Sequence, residues 1–311
     1  MRVLIHIDNL EKWRAALTKR LPEADIVTSS DPEEHRRHAD YLAVWKPPSW
    51  LFENQPGLKG IVNLGAGVDA LLATPKLPEN VPIVKLRDAG MAPPMADYVL
   101  YGVLHFQRDF DRYLGDESEQ RWQPREIVEK SDWPVGVLGL GAIGSQVAKR
   151  LAESGFPVHG WSRSPKSLKN VTCHHGEVGL EDILKQVRTL VTLLPDTPRT
   201  RGLIDAERLA LLPRGATLIN PGRGALVDET ALVEALGNSE QEGHLRGALL
   251  DVFETEPLPE DSPLWRHPRV RLTPHMSAPT PFEAAADQVV EAIHSWEAGE
   301  TLATVDRRSG Y

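Results

Sequence analysis

The sequence predicts an α/β protein built from two doubly wound parallel sheets. Three observations predict it. Short apolar runs alternate with amphipathic helical stretches along two successive series. The runs "VTLLP" and "GALLDV" carry no polar face, as strands covered on both sides by helices do. A glycine-punctuated turn also joins one run directly to a helix in "GVLGLGAIG". Such alternation implies right-handed βαβ units, because a twisted strand feeding a helix packs back onto its own sheet in that hand.

The first series opens with the strand "RVLIHI" and the helix "LEKWRAALTKRL", which gathers Leu10, Trp13, Leu17 and Leu21 on one face. Strands "ADIVT", "YLAVW", "GIVNLG" and "PIVKL" follow with short connections. One long helical pattern then runs from about Met95 to Trp122, apolar in its first half and charged in its second, and suits a link between domains. The second series starts at "WPVGVLGLG" and continues through helix "IGSQVAKRLAESG", strand "PVHGW", helix "LEDILKQV", strand "TLVTLLP", helix "DAERLALLP" and strand "ATLIN". Helix "DETALVEALGNSE", strands "LRGALLDVF" and "RVRLTPH", and the final helix "PFEAAADQVVEAIHSWEAG" complete it. The proline-rich pieces "KPPSW", "MAPPM" and "EPLPEDSPLW" read as rigid loops.

The totals bound the function. A chain of 311 residues has room for two cores. With 35 basic against 44 acidic residues the net charge is −9, which argues against nucleic acid or an anionic membrane as the main partner. The basic patch "HRRH" at His35–His38 follows Glu33 and Glu34 and reads as a solvated helix face. Cys173 is the single cysteine, so no intrachain disulfide forms and a reducing compartment is expected. The opening "MRVLIHID" is broken by Asp8 and lacks a signal-peptide pattern, and no apolar run approaches the roughly 18 residues of a membrane span. The expectation is a cytoplasmic protein that uses no metal.

"GLGAIG" places Gly139, Gly141 and Gly144 in the G-x-G-x-x-G pattern, with Ala142 and Ile143 between the last two, directly after a strand and at the start of a helix. The first glycine permits the turn, the second lets backbone approach a pyrophosphate, and the third lets helix and strand pack closely. A dinucleotide pyrophosphate then lies at a helix N-terminus, where free N–H groups favour an anion. Both domains are therefore read as Rossmann-like. Nicotinamide cofactors without a 2′-phosphate meet an acidic residue about 20 positions on. Here that place holds "GWSRSPK", with Ser162 and Arg163 eighteen and nineteen residues after Gly144, and no carboxylate. A carboxylate would repel a 2′-phosphate, whereas Arg163 grips it with a planar fork, and Ser162 and Ser164 add hydroxyls beside Lys166. Turning repulsion into attraction at about 4 Å is on the order of several kcal/mol gross at an effective dielectric near 20. The turn is read as an NADP(H) selector.

Three further stretches end strands of the second series: "INPGRGALVD", "ALLDVFETEPLPEDSPLW" and "RLTPHMSAPT". Ligands of a doubly wound sheet bind at the carboxyl ends of its strands, so Arg223, Asp251, Glu256 and His275 can converge on one crevice. Chemically they form a set: an arginine to hold a carboxylate, a histidine to exchange the proton that accompanies hydride transfer, and a glutamate to orient that histidine. Glu254 is as acidic as Glu256, and composition does not separate them. The remaining histidines are read as ordinary, with His174 and His175 on the surface and His6 and His105 in a strand and a helix.

Over essentially its whole length the chain resembles the D-isomer-specific 2-hydroxyacid dehydrogenase family. The glycine turn, "LLPDTPRTRGLI", the Arg223 loop, "DVFETEPLP", "SPLW" and "TPH" carry the likeness. The resemblance implies NADPH-dependent reduction of small 2-oxo acids, glyoxylate and hydroxypyruvate first, with another 2-oxo acid or a dinucleotide-sensing binding protein as the alternatives. Arg223 would bind the substrate through its carboxylate and carbonyl oxygen. Glu256, favoured over Glu254 by the family's E-P pattern, would pair with His275, the proton donor. Leu194, Pro195, Pro221, Gly222 and Asp251 would touch the cofactor. The backbone of "LGAG" (Leu64, Gly65, Ala66, Gly67) would hold the substrate carboxylate, and Trp45 would narrow the pocket. The sequence departs from the family pattern at "NPGRG" and "HMSA", with no reacting group lost. The resemblance also implies a discontinuous substrate domain (1–98 plus 283–311), an NADP(H)-binding domain (99–282), a crevice at their junctions, and a homodimer with the helix after Met95 among its contacts.

Overall fold

The computed structural model describes residues 1–238 and 243–311. The chain forms two compact units, Met1–Gly90 with Thr280–Tyr311, and Met91–Pro279. Both are α/β with wholly parallel sheets, as expected from the alternation of apolar runs and helices.

In the first unit the elements are β1 (Arg2–His6), α1 (Leu10–Arg20), β2 (Asp25–Thr28), α2 (Glu33–Arg36), β3 (Tyr41–Val44), β4 (Gly60–Asn63), α3 (Asp69–Leu72) and β5 (Ile83–Lys85). The strands lie in the order β2-β1-β3-β4-β5, so the winding direction reverses between β1 and β3. The face of α1 read from the sequence is the buried one, with Trp13, Leu17 and Leu21 inside. The C-terminal helix Phe282–Glu297 returns to this unit and covers the same layer. Trp13 meets Phe282 edge-on at 4.9 Å, and Trp296 stacks on Tyr41 at 5.5 Å. Gly60 leaves room for that indole, because a Cβ there would stand 2.5 Å from it. Tyr41 and Lys59 both donate to Glu297, at 2.6 and 2.8 Å, and the last residues bind back through Val305 N–H to Ile83 O at 2.7 Å.

The second unit begins with α4 (Ala92–Gln107) and α5 (Phe110–Ser118). The sequence reads these as one helix; the structure breaks it at Asp109, which adopts a left-handed φ of 59°. The cause is distant in sequence. Arg246 donates through Nε to Asp111 at 2.9 Å and through Nη2 to both Asp109 and Asp111, and this clamp holds the bend. The apolar half of α4 is buried as expected (Val99, Val103, Phe106), and at Gly102 a Cβ would stand 2.7 Å from the Ile219 side chain, so glycine lets the helix lie close to β10.

There follow β6 (Val135–Leu138), α6 (Ala142–Glu153), β7 (Val158–Ser162), β8 (Thr172–His175), α7 (Gly176–Leu184), β9 (Thr189–Thr192), α8 (Ala206–Leu211), β10 (Thr217–Asn220), α9 (Glu229–Leu236), β11 (Gly247–Leu250) and β12 (Val270–Leu272). The order is β8-β7-β6-β9-β10-β11-β12, with the reversal between β6 and β9. Asn238 follows the helix read from "DETALVEALGNSE", and Ser239 and Glu240 of that stretch lie outside the described residues. The strand β8 was not read from sequence, because "TCHH" is polar and sits at the sheet edge with one neighbour. There His159 and His174 share a hydrogen bond at 3.0 Å, and burial lowers the pKa of His159, with His174 adding to the effect. Among the described residues no helix is long and apolar enough to cross a membrane, and no cluster of three His, Cys, Asp or Glu is placed to hold a metal.

Candidate active site

The glycine turn leaves β6 and enters α6 at the point where the second sheet reverses. Each glycine has its own reason to be there. Gly139 has φ 109°, and a Cβ on it would stand 2.4 Å from the Leu193 carbonyl oxygen. A Cβ on Gly144 would stand 1.8 Å from the Gly139 carbonyl oxygen, so only hydrogen fits between helix and strand. Gly141 differs: it is exposed at the N-cap of α6, and no atom of the described residues comes within 4 Å of a Cβ built there. The turn is thus tight behind and open in front, which fits a pyrophosphate seated on the first N–H groups of α6. Leu194, just past β9, would stand 3.2 Å from a Cβ on Gly139, with Pro195 next in the chain.

At the end of β7, Ser162 is buried and donates through Oγ to the Ser164 carbonyl at 2.8 Å, so its hydroxyl shapes the turn. Arg163, Ser164 and Lys166 are exposed on it. Lys166 Nζ donates to the carbonyl of Leu140 inside the glycine turn, which brings a cation beside the proposed pyrophosphate position. The first acidic side chain after Ser162 is Glu177, beyond β8. The residues present therefore fit a dinucleotide bearing a 2′-phosphate.

Further along the same sheet edge, Asn220 ends β10 and organises the next loop. It is 1% exposed; its Oδ1 accepts from Thr192 Oγ1 at 2.7 Å and Gly222 N–H at 3.2 Å, and its Nδ2 donates to Arg223 O at 3.0 Å. Pro221 and Gly222 are buried, and Arg223 donates to Gly222 O at 2.8 Å. Gly224 packs on the next loop, where a Cβ would stand 1.8 Å from the Phe253 carbonyl carbon. That loop carries Glu256, whose Oε1 accepts Phe253 N–H at 3.3 Å and whose Oε2 lies 2.8 Å from His275 Nδ1. Glu254 is exposed, its backbone N–H donating to Glu229 Oε1 at 2.8 Å, and burial pushes the Glu229 carboxyl up. The histidine partner is therefore Glu256. An ionised Glu256 only accepts, so Nδ1 carries a proton and Nε2 is left to exchange one with a ligand. Asp251, at the end of β11, is wholly buried and accepts from Thr273 Oγ1, Met276 N–H and Ser277 N–H at 2.6, 2.8 and 2.9 Å.

In the first unit, Leu64–Gly67 follow β4 and are held by a second buried asparagine. Asn63, 1% exposed, donates to Gly65 O at 2.9 Å and Gly67 O at 2.8 Å. Trp45, half-buried at the end of β3, lies on this loop so closely that a Cβ on Gly65 would stand 2.1 Å from its ring. Neither Asn63 nor Asn220 was singled out from sequence. The available signal was an asparagine closing an apolar strand immediately before a glycine-bearing loop.

The family model described as D-isomer specific 2-hydroxyacid dehydrogenase, NAD binding domain, matches residues 100–277. The chain belongs to the D-isomer-specific 2-hydroxyacid dehydrogenases. A glyoxylate/hydroxypyruvate reductase A of Serratia proteamaculans is 42% identical over 309 residues, covering 97% of each chain. A D-isomer-specific 2-hydroxyacid dehydrogenase of Xanthobacter autotrophicus Py2, in complex with NADPH and MES, superposes with a TM-score of 0.92 at 44% identity, covering 99% of both chains. An NADPH-dependent glyoxylate/hydroxypyruvate reductase of Sinorhizobium meliloti, in complex with NADP and sulfate, gives 0.91 at 35% identity over 100% of this chain and 99% of that one. The family read from the motifs is thus borne out. Membership also explains why an NAD-binding-domain family carries a basic turn here: the two solved dehydrogenases were crystallised with NADPH or NADP.

Proposed function

We propose that this dehydrogenase reduces small 2-oxo acids, glyoxylate and hydroxypyruvate first, at the expense of NADPH. The observation that carries the reading is the Glu256–His275 pair, 2.8 Å apart, on the same sheet edge as the glycine turn and Arg223. The reductases of Serratia and Sinorhizobium bear names of this activity and align over nearly all of the chain. When bound, NADPH supplies the hydride. The chain's own residues do the rest. Gly139–Gly144 and the first turn of α6 hold the pyrophosphate, while Arg163, Ser164 and Lys166 meet the 2′-phosphate. Leu194, Pro195, Pro221, Gly222 and Asp251 line or support the cofactor position. Arg223 takes the substrate carboxylate and carbonyl oxygen with its planar fork. His275, held at Nδ1 by Glu256, gives its Nε2 proton to the carbonyl oxygen as that oxygen gains charge, and the carboxylate stabilises the imidazolium. The backbone of Leu64–Gly67 holds the substrate carboxylate, and Trp45 limits substrate size.

The same reading makes 1–98 with 283–311 the substrate domain and 99–282 the NADP(H) domain. A cytoplasmic homodimer goes with it. Tyr101, Phe110, Leu114, Trp122 and Ile127 are exposed apolar side chains within one stretch of α4, α5 and the segment after them, and such surface favours a protein partner.

The direct test is the initial rate of NADPH oxidation, and separately NADH oxidation, with glyoxylate, hydroxypyruvate and pyruvate. Fast NADPH-dependent turnover of the first two is expected, and no turnover with any pair would overturn the assignment. Arg163→Ala tests the selector. Losing a charge-assisted hydrogen bond at an exposed site should raise KM for NADPH about tenfold while KM for NADH stays within about twofold. An equal rise for both cofactors would make the turn a structural feature only.

A further inference from the structure

Two hydroxyl groups with no part in the chemistry above stand behind His275. Tyr98 Oη, on α4, lies 2.7 Å from Thr273 Oγ1, which lies 2.6 Å from Asp251 Oδ1. The direction of this chain follows from its end. An ionised carboxylate only accepts, so Thr273 donates to Asp251 and in turn accepts from Tyr98. Burial, the largest influence, holds the Tyr98 phenol above its usual pKa, which keeps the proton there to be donated.

Asp251 holds the segment on both sides of His275. Its carboxylate takes the Thr273 hydroxyl before the histidine, and the Met276 and Ser277 N–H groups after it. Its own carbonyl accepts the His275 N–H at 2.8 Å. Between these anchors His275 has φ 51°, a left-handed conformation that a residue with a Cβ keeps only where its surroundings fix it. Packing alone does not ask for these hydroxyls: phenylalanine would keep the ring of Tyr98, and valine the branched outline of Thr273.

We propose that Tyr98 and Thr273 are positioning residues for His275, the chain Tyr98–Thr273–Asp251 fixing residues 273–277 in the conformation that sets Nδ1 on Glu256 and reserves Nε2 for the substrate. The proposal rests on His275 being the proton donor. It deepens that reading by tying the segment of the reacting imidazole to Tyr98 on α4, 175 residues before its hydrogen-bond partner Thr273.

The experiment compares Tyr98→Phe, Thr273→Val and Thr273→Ser with the unaltered protein and His275→Ala. It reads kcat and KM for glyoxylate, Kd for NADPH by fluorescence titration, and Tm. Removing the outer hydroxyl should lower kcat about three- to tenfold, and removing the inner one, which leaves a buried carboxylate short of a donor, about tenfold or more. Kd for NADPH should stay within about twofold, and Thr273→Ser should recover most of the rate, because the hydroxyl is back. A kcat for both Tyr98→Phe and Thr273→Val within twofold of the unaltered protein would overturn the proposal. So would a Thr273→Ser variant as slow as Thr273→Val, or a rate loss that only follows a loss of NADPH binding. His275→Ala separates the two levels. If it retains its rate, the proton-donor reading falls and the positioning chain with it. If it is inactive while Tyr98→Phe and Thr273→Val are both normal, the chain alone is wrong.

Discussion

Replacing His275 by alanine should lower kcat by about 10² to 10⁴ while NADPH still binds with nearly unchanged affinity. The size follows from the task. As hydride reaches the carbonyl carbon, the oxygen becomes an alkoxide unless a proton arrives with it, and a positioned acid supplies that proton far better than water does. The geometry says that the acid is prepared in advance. Glu256 accepts from Nδ1 at 2.8 Å, so the ring is oriented before substrate arrives and Nε2 is the atom that reacts. Binding of NADPH should survive because the glycine turn and the Ser162–Lys166 turn lie on other loops of the sheet. Initial-rate kinetics and fluorescence titration on one preparation check both halves. A variant keeping more than about a tenth of kcat would place the proton donor elsewhere. Glu256→Gln should be milder, about tenfold, since an amide oxygen can still accept from Nδ1 but no longer balances the imidazolium charge.

What the sequence disclosed and what it hid divide along a physical line. The glycine turn was legible because its pattern is local: Gly139, Gly141 and Gly144 fall within six residues and Gly144 packs on the Gly139 carbonyl, although Gly139 also faces Leu193 of the neighbouring strand's loop. The reacting set was legible for a related reason, since arginine, glutamate and histidine at strand ends have few other uses together. The break between α4 and α5 was not, because the left-handed Asp109 is held by Arg246, 137 residues away. The edge strand β8 was hidden by its polar composition. Tyr98 lies in an apolar helical pattern where an aromatic needs no explanation, and its hydroxyl acquires one only when Thr273 is folded beside it. Asn63 and Asn220 show the same limit from another side. Both end a fully buried strand, both turn a buried amide into the following glycine loop, and both donate to backbone oxygens of that loop. Choosing between Glu254 and Glu256 from residues alone was equally out of reach, because two carboxylates two positions apart differ only in which way the loop turns them.

Gly141→Ala and Gly144→Ala should fail in opposite ways, and the contrast tests the cofactor site without reference to any substrate. At Gly144 the added methyl meets the Gly139 carbonyl oxygen at 1.8 Å, a backbone atom that cannot swing aside. Overpacking of that kind costs about 3 kcal/mol, so this variant should melt several degrees lower even with no ligand present. At Gly141 the backbone is extended, with φ −72° and ψ −165°, which alanine adopts without strain, and the methyl points into open space. The free protein should therefore keep its Tm, or gain slightly, because alanine loses less chain entropy on folding. Yet open space at the N-cap of α6 is where a pyrophosphate must approach the backbone, and a methyl there holds it off the N–H groups. Gly141→Ala should accordingly weaken NADPH by about a hundredfold, the loss of one or two charge-assisted hydrogen bonds, while the melting curve of the free protein stays in place. Thermal melts with and without NADPH read both quantities: the unaltered protein is stabilised by the cofactor, Gly144→Ala starts lower, and Gly141→Ala starts level but gains little. If Gly141→Ala binds NADPH normally, the dinucleotide does not cross this turn, and the open face of the glycine loop has another cause.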